Sequence, residues 1–283
     1  MKCLALASGK GGVGKTFLTA SFGLALARQG ASVLLLDGDM GLRNLDLPLG
    51  MEKQTRYTSW DLARGRCFEE DSILSVAPHL DFLPAAEEED WKAISRPALS
   101  TVLEDLADRY DYILIDCPAG LGKGIRFAEK AADAWLIVVG PSWASRRDAL
   151  KTASCIGKQG RAALVFNAFQ TGSDAGVSLA ELIDSVDGLQ VAGVIPHSSK
   201  GNRLAQQGRL KEYQRDSAFG EAVELTLKSF LTGTVYPLSR WQSLLQKARK
   251  EDCERENLPA GPAGPAGSLL LRQRAKAARW RRR

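Results

Sequence analysis

The sequence predicts a doubly wound α/β fold, a mostly parallel sheet flanked by helices. Three observations predict it. Short apolar runs recur along the chain, at Cys3–Ala7, Val33–Leu36, Leu80–Leu83, Tyr112–Ile115, Trp135–Val139, Ala163–Phe166 and Val191–Ile195. Several are continuously apolar rather than alternating, the pattern of strands buried on both faces of a parallel sheet. Helical stretches stand between them, at Phe17–Gln29, Pro97–Arg109, Ser145–Ile156 and Phe219–Phe230. Pro97 suits a first helical turn and Gly30 a position just past a helix end. Finally, a glycine-rich loop joins the first strand to the first helix. Strand alternating with helix is the signature of the doubly wound class.

With 283 residues, 45% of them hydrophobic, the chain has ample material for one large α/β core. The net charge of +5 is unevenly placed. Arg272, Arg274, Lys276, Arg279, Arg281, Arg282 and Arg283 crowd the last residues with no acid among them, so the remainder carries −2 once those seven are set aside. A near-neutral body with a basic tail predicts contact with a polyanion, either nucleic acid or an anionic membrane. Cys3, Cys67, Cys117, Cys155 and Cys253 form no CxxC or CxC pair. This sets aside metal clusters and a disulfide framework, and suits reduced thiols in a cytosolic protein. The chain opens directly on a strand, without the pattern of a signal peptide. No apolar run approaches the roughly 20 residues of a bilayer span.

The end of the chain changes character. The expected division is a globular domain over 1–238, a charged helix over 239–258, a linker over 259–267 and a basic tail over 268–283. Pro259-Ala260-Gly261, repeated to Gly267, opposes both helix and strand.

Gly9-Lys10-Gly11-Gly12-Val13-Gly14-Lys15-Thr16 matches the G-x-x-x-x-G-K-[ST] phosphate loop. It follows an apolar run and opens an amphipathic one, the context the motif requires. Glycines let backbone N–H groups turn toward phosphate oxygens, and the helix N-terminus adds its dipole. Lys15 is expected on the β- and γ-phosphates of ATP and the Thr16 hydroxyl on Mg²⁺. Gly11, Gly12, Val13, Gly14 and Phe17 complete the loop. Leu34–Leu36 then lead into Asp37-Gly38-Asp39 and on to Asn44 and Asp46. Carboxylates at the end of a buried strand can orient an attacking water or hold Mg²⁺ through water. A second apolar strand ends in Asp116-Cys117-Pro118-Ala119-Gly120, the Walker B form, with Asp116 expected on Mg²⁺ through water.

These motifs resemble the MinD/ParA family of deviant Walker A P-loop ATPases, which have the SIMIBI-type fold. The likeness covers roughly residues 1–235, and the Gly41-Leu42-Arg43-Asn44-Leu45-Asp46 segment resembles the family's MinD branch in particular. The resemblance implies that Lys10 reaches across an ATP-bound homodimer to the partner's nucleotide. It implies that Asp39 is the hydrolytic aspartate, that Asn44 helps place the water, and that Gly120 begins switch II beside Asp116. It implies adenine contacts from Asn167, Pro196 and His197, although Ala168 stands where the family carries an arginine. The function implied is an ATPase switch in septum placement. Such a switch is cytoplasmic and peripheral on the inner face of the cell membrane, and works with a division inhibitor and an activating protein. A partition-type ATPase binding DNA non-specifically is the other reading. A flagellar-placement ATPase is a third, set aside because no helical extension precedes the first strand. Two segments are candidate lipid anchors: Ser239–Lys250, with Trp241, Leu244, Leu245 and Ala248, and the terminal segment, with Leu269–Leu271 and Trp280.

Overall fold

The computed structural model describes residues 2–87, 103–120, 123–156, 161–171, 177–186 and 188–256. Eight strands form one sheet: β1 (Cys3–Ala7), β2 (Val33–Asp37), β3 (Leu74–Ala77), β4 (Leu80–Leu83), β5 (Tyr112–Asp116), β6 (Ala134–Val139), β7 (Arg161–Phe169) and β8 (Gln190–Pro196). The helices are α1 (Lys15–Arg28), α2 (Asp46–Leu49), α3 (Ser59–Ala63), α4 (Glu69–Ser72), α5 (103–107), α6 (Lys123–Ala131), α7 (Trp143–Ile156), α8 (Leu179–Asp184), α9 (Ser199–Gln206), α10 (Ala218–Thr232) and α11 (Leu238–Glu256). The first six residues of the expected Pro97–Arg109 helix lie outside the described residues, as do the linker and the basic tail.

The strand order is β3-β4-β2-β5-β1-β6-β7-β8. Every neighbouring pair is parallel except β3 with β4. All seven expected strands are present. β3 is an addition at the edge. It is four residues long and pairs through a bulge, too short and irregular to betray itself by alternation. Every residue of β1, β2 and β6 is buried, so both faces of the sheet centre are covered. That is why these strands read as unbroken apolar runs.

β1 lies between β5 and β6, and the chain winds outward from it in two directions. This is the topological switch point, where the carboxyl ends of the strands diverge and leave a crevice. In register, Asp37 at the end of β2 sits opposite Asp116 at the end of β5, and Leu6 of β1 opposite the same Asp116. Strand pairing alone therefore gathers the candidate carboxylates at the mouth of the phosphate loop.

α10 packs against β8 closely enough that a Cβ at Gly193 would lie 1.9 Å from Thr226 Oγ1, so only glycine fits. α11 then packs on α10 and β8. Trp241, Leu244, Leu245 and Ala248 are buried, and Trp241 meets Tyr236 edge-on at 5.9 Å between ring centroids. This corrects one expectation: the apolar side of Ser239–Lys250 belongs to the core and is not free to enter a bilayer. The folded body thus continues through α11. Among the described residues no helix is long and apolar enough to cross a membrane.

Because its indole is 3% exposed, Trp241→Ala should destabilise the fold by about 3–5 kcal/mol. Urea denaturation measures this. A loss below about 1 kcal/mol would mean that α11 is a detachable appendage.

Candidate active site

The phosphate loop leaves β1 at Ser8 and enters α1 at Lys15. Gly12 and Gly14 have φ of 78° and 86°, a region where side chains are strained. A Cβ at Gly14 would also fall 2.3 Å from Asn167 Nδ2. Asn167 donates that amide to the Val13 carbonyl oxygen at 2.8 Å and so braces the loop from β7. Ala168, next along, has φ of 60° at the point where the β7–β8 register shifts.

Three side chains converge on Asp116. Lys15 Nζ lies 2.6 Å from Oδ1, Thr16 Oγ1 donates to Oδ2 at 2.6 Å, and Thr19 Oγ1 donates to Oδ1 at 2.9 Å. Lys15 and Asp116 are both buried. Burial works against the Lys15 ammonium, yet the charge and hydrogen bond of Asp116 hold its pKa above the ordinary 10.5. A buried pair of this kind persists only when its geometry is good and its remaining capacity is satisfied, which Thr16 and Thr19 supply here. Thr19 was not among the expected residues. Its signal is spacing: it stands one helical turn after Lys15, on the same face.

Asp37 is fully buried and acts as a splint for the loop that follows it. Its Oδ1 accepts the Asp39 N–H at 2.9 Å and its Oδ2 accepts the Leu45 N–H at 3.1 Å. Arg43 fixes the middle of the same loop. With φ of 41°, it reaches Asp46 at 2.7 Å, the Glu52 carbonyl at 3.2 Å and Glu87 at 2.7 Å. The Asp39 carboxyl is raised by burial, which Lys15 offsets only in part.

These elements enclose a cleft of about 500 Å³, within the range of small-molecule sites. Of the expected residues, Gly11, Gly12, Val13, Gly14, Lys15, Thr16, Phe17, Asp39 and Asn44 line it. Leu42 and Leu47, exposed at 68% and 42%, form an apolar rim beside Asn44. Lys10 is exposed and, among the described residues, makes no side-chain hydrogen bond or ion pair. Gly120 donates its N–H to the Ser8 carbonyl at 2.9 Å, which ties the turn that follows the Walker B strand to the base of the loop. Pro196 ends β8, and His197 turns away from the cleft toward α11, 3.8 Å from Asp252.

The donor set suits a magnesium-bound triphosphate. Lys15 offers a cation, Thr16 a hydroxyl, and Asp39 and Asp116 offer acceptor oxygens, while nothing stands within 4 Å of a Cβ position at Gly12.

Burial and the neighbouring Asp116 raise the Asp37 pKa from 3.8 to about 7. The folded state therefore holds this proton while the unfolded state releases it, and stability falls as pH rises from about 4 to 7. Asp37→Asn removes that slope. In the absence of nucleotide, the wild-type stability relative to Asp37→Asn should fall by up to about 1.4 kcal/mol per pH unit over this window. Denaturation of both proteins at pH 5 and pH 7 tests it, and a difference that does not move with pH would refute it.

A family model described as an AAA domain matches residues 1–151. The septum site-determining protein MinD of Synechocystis is 35% identical over 206 residues, covering 70% of this chain and 77% of that protein. Among solved structures, the MinC:MinD cell division protein complex of Aquifex aeolicus superposes with a TM-score of 0.73 at 32% identity, over 84% of this chain and 98% of that one. MinD from Pyrococcus horikoshii, solved with Mg-ADP, gives 0.71 at 28% identity, over 80% and 95%. The phosphate loop clasped to its Walker B aspartate, the splinted loop after β2 and these likenesses agree: the chain belongs to the MinD/ParA family of P-loop cell division ATPases.

Proposed function

We propose that this protein is a MinD-like ATPase switch that hydrolyses ATP to ADP and phosphate and alternates between monomer and ATP-bound homodimer. The observation that carries the reading is the clasp of Lys15 and Thr16 on Asp116 at 2.6 Å, beside a cleft lined by the phosphate loop, in which Lys10 is exposed. Lys15 binds the β- and γ-phosphates, and the glycine loop N–H groups bind around them. Thr16 is the direct ligand of Mg²⁺, and Asp39 and Asp116 hold it through water. When bound, the ion offsets phosphate charge. Asp39 orients the attacking water and takes up its proton, with Asn44 fixing the water's position. Lys10 reaches the partner's nucleotide, where a cation offsets charge developing in the transition state. The exposed Leu42 and Leu47 place apolar surface on the face a second copy would cover. Gly120, hydrogen-bonded to Ser8, is positioned to move with the phosphate loop when the site fills.

In this reading the ATP-bound dimer is cytoplasmic and peripheral on the inner face of the membrane. It binds a division inhibitor and an activating protein. Because α11 is committed to the core, attachment falls to the terminal segment with its seven basic residues. Two such segments in one dimer act together through effective concentration, which makes attachment depend on ATP. The same charges suit DNA phosphates, and this favours the partition-type reading as the second candidate.

Lys15→Ala should weaken Mg-ATP binding tenfold or more, about 1.4 kcal/mol per tenfold. Unchanged affinity in a folded variant would sink the assignment. Asp39→Ala should bind ATP, hydrolyse it slowly and accumulate as a dimer in sedimentation, whereas Lys10→Ala should bind ATP without completing dimer or turnover. If Lys10→Ala dimerises and turns over normally, its role across the dimer is wrong. Cosedimentation at physiological salt with anionic liposomes and with duplex DNA, for the full chain and a truncation after Glu256, separates the two readings. Lipid binding lost on truncation is the expected result. Preference for DNA would move the assignment to the partition type.

A further inference from the structure

Among the described residues the side-chain donors to the Asp116 carboxylate are Lys15, Thr16 and Thr19. Two of them have work elsewhere once nucleotide binds: Lys15 leaves Oδ1 for phosphate, and Thr16 leaves Oδ2 for Mg²⁺. The carboxylate they leave is fully buried, and a buried charge stripped of its donors is costly. Thr19 remains. It is fully buried as well, so its hydroxyl is closed off from bulk solvent. Its Oγ1 lies 2.9 Å from Asp116 Oδ1 and 3.0 Å from the Lys15 carbonyl oxygen, one turn back in α1. A hydroxyl carries one proton and cannot serve both acceptors in full. The bond to the carbonyl four residues back is the ordinary habit of a helical threonine. The second acceptor is not, because it stands on β5, 97 residues along the chain.

Resting on the ATPase reading, we propose that Thr19 is a positioning residue that takes over Asp116 when nucleotide draws Lys15 and Thr16 away. While the Lys15 ammonium holds Oδ1, the Thr19 proton is shared with the Lys15 carbonyl. Once the ammonium has gone to phosphate, the charged Oδ1 is the stronger acceptor and takes the proton. The hand-over needs only rotation of the hydroxyl, because both acceptors already stand within hydrogen-bond length. Oδ1 is then pinned from α1, and Oδ2 is the oxygen offered to the water on the metal. Thr19 touches neither nucleotide nor metal in this account and acts through Asp116 alone. Lys15, Thr16 and Thr19 lie three and four residues apart on one face of α1. One helical turn therefore carries both the groups that release the carboxylate and the group that keeps it.

Calorimetric titration of the full chain with a non-hydrolysable ATP analogue, in excess Mg²⁺ and again in EDTA, is the test. The ratio of the two affinities reads how well Asp116 serves the metal. Thr19→Val keeps the branched shape, removes the hydroxyl and should shrink that ratio about tenfold. Thr19→Ser, which keeps the hydroxyl, should hold the ratio near wild type. A threonine that serves the fold alone would lower the stability of Thr19→Val to denaturant and leave the ratio unchanged, and that result would overturn the inference while leaving the ATPase reading intact. An equal loss in Thr19→Ser would overturn it too. Should Thr19→Val not fold, Thr19→Cys, whose thiol is a weak donor, carries the same expectation. Absence of nucleotide binding by wild type in Mg²⁺ would overturn both.

Discussion

The Asp116 carboxylate is the point on which the site depends. It ends the second central strand of the sheet and receives Lys15, Thr16 and Thr19 from the first turns of α1. One side chain thereby fixes the start of the helix, the end of the phosphate loop and the end of β5 in a single buried knot. Removing a partner from such a knot leaves an uncompensated charge in a low-dielectric setting, a loss of about 3–5 kcal/mol. Lys15 is held charged at the start of α1, its ammonium bound to Asp116 rather than free at the mouth of the loop. The Thr16 hydroxyl is held on the same carboxylate, at 2.6 Å from Oδ2.

The rest of the active end is arranged around that knot. Parallel pairing puts Asp37 opposite Asp116 in register, and Gly38 donates its N–H to the Asp116 carbonyl at 2.9 Å. Asp37 then spans the loop from Asp39 to Leu45, so the carboxylate proposed to orient water is set by backbone hydrogen bonds to its neighbour rather than by its own contacts. Arg43, in a left-handed conformation unusual for a long side chain, ties the same loop to Glu52 and Glu87. A loop anchored at both ends and at its centre can respond as a unit to what occupies the cleft.

Much of this was legible in the sequence, because the signals were local and chemical. The phosphate loop reads from glycine, lysine and threonine at fixed spacing. The buried strands read from unbroken apolar runs, and the carboxylates from their position at strand ends. What was not legible depends on long-range packing. Trp241, Leu244 and Leu245 on a charged helix have the same spacing whether they face a bilayer or α10, and only the tertiary contact decides for the core. β3 is too short to show a period. The short helix α3 had a local signal in Thr58 and Asp61, whose reciprocal capping bonds define its first turn. Asn167 has the residue type of a base contact, but its amide faces the loop backbone. His197 meets Asp252 across 55 residues of chain, a juxtaposition no spacing rule anticipates.

The claim that everything else rests on is that Lys15 and Thr16 exchange Asp116 for a magnesium-bound triphosphate. A crystal structure of the full chain with Mg²⁺ and a non-hydrolysable ATP analogue tests it directly. Lys15 Nζ should leave its 2.6 Å contact with Asp116 for the phosphate oxygens, Thr16 Oγ1 should turn to the metal, and Asp116 should stay bonded to Thr19. A nucleotide bound elsewhere, with Lys15 and Thr16 still on Asp116, would contradict it.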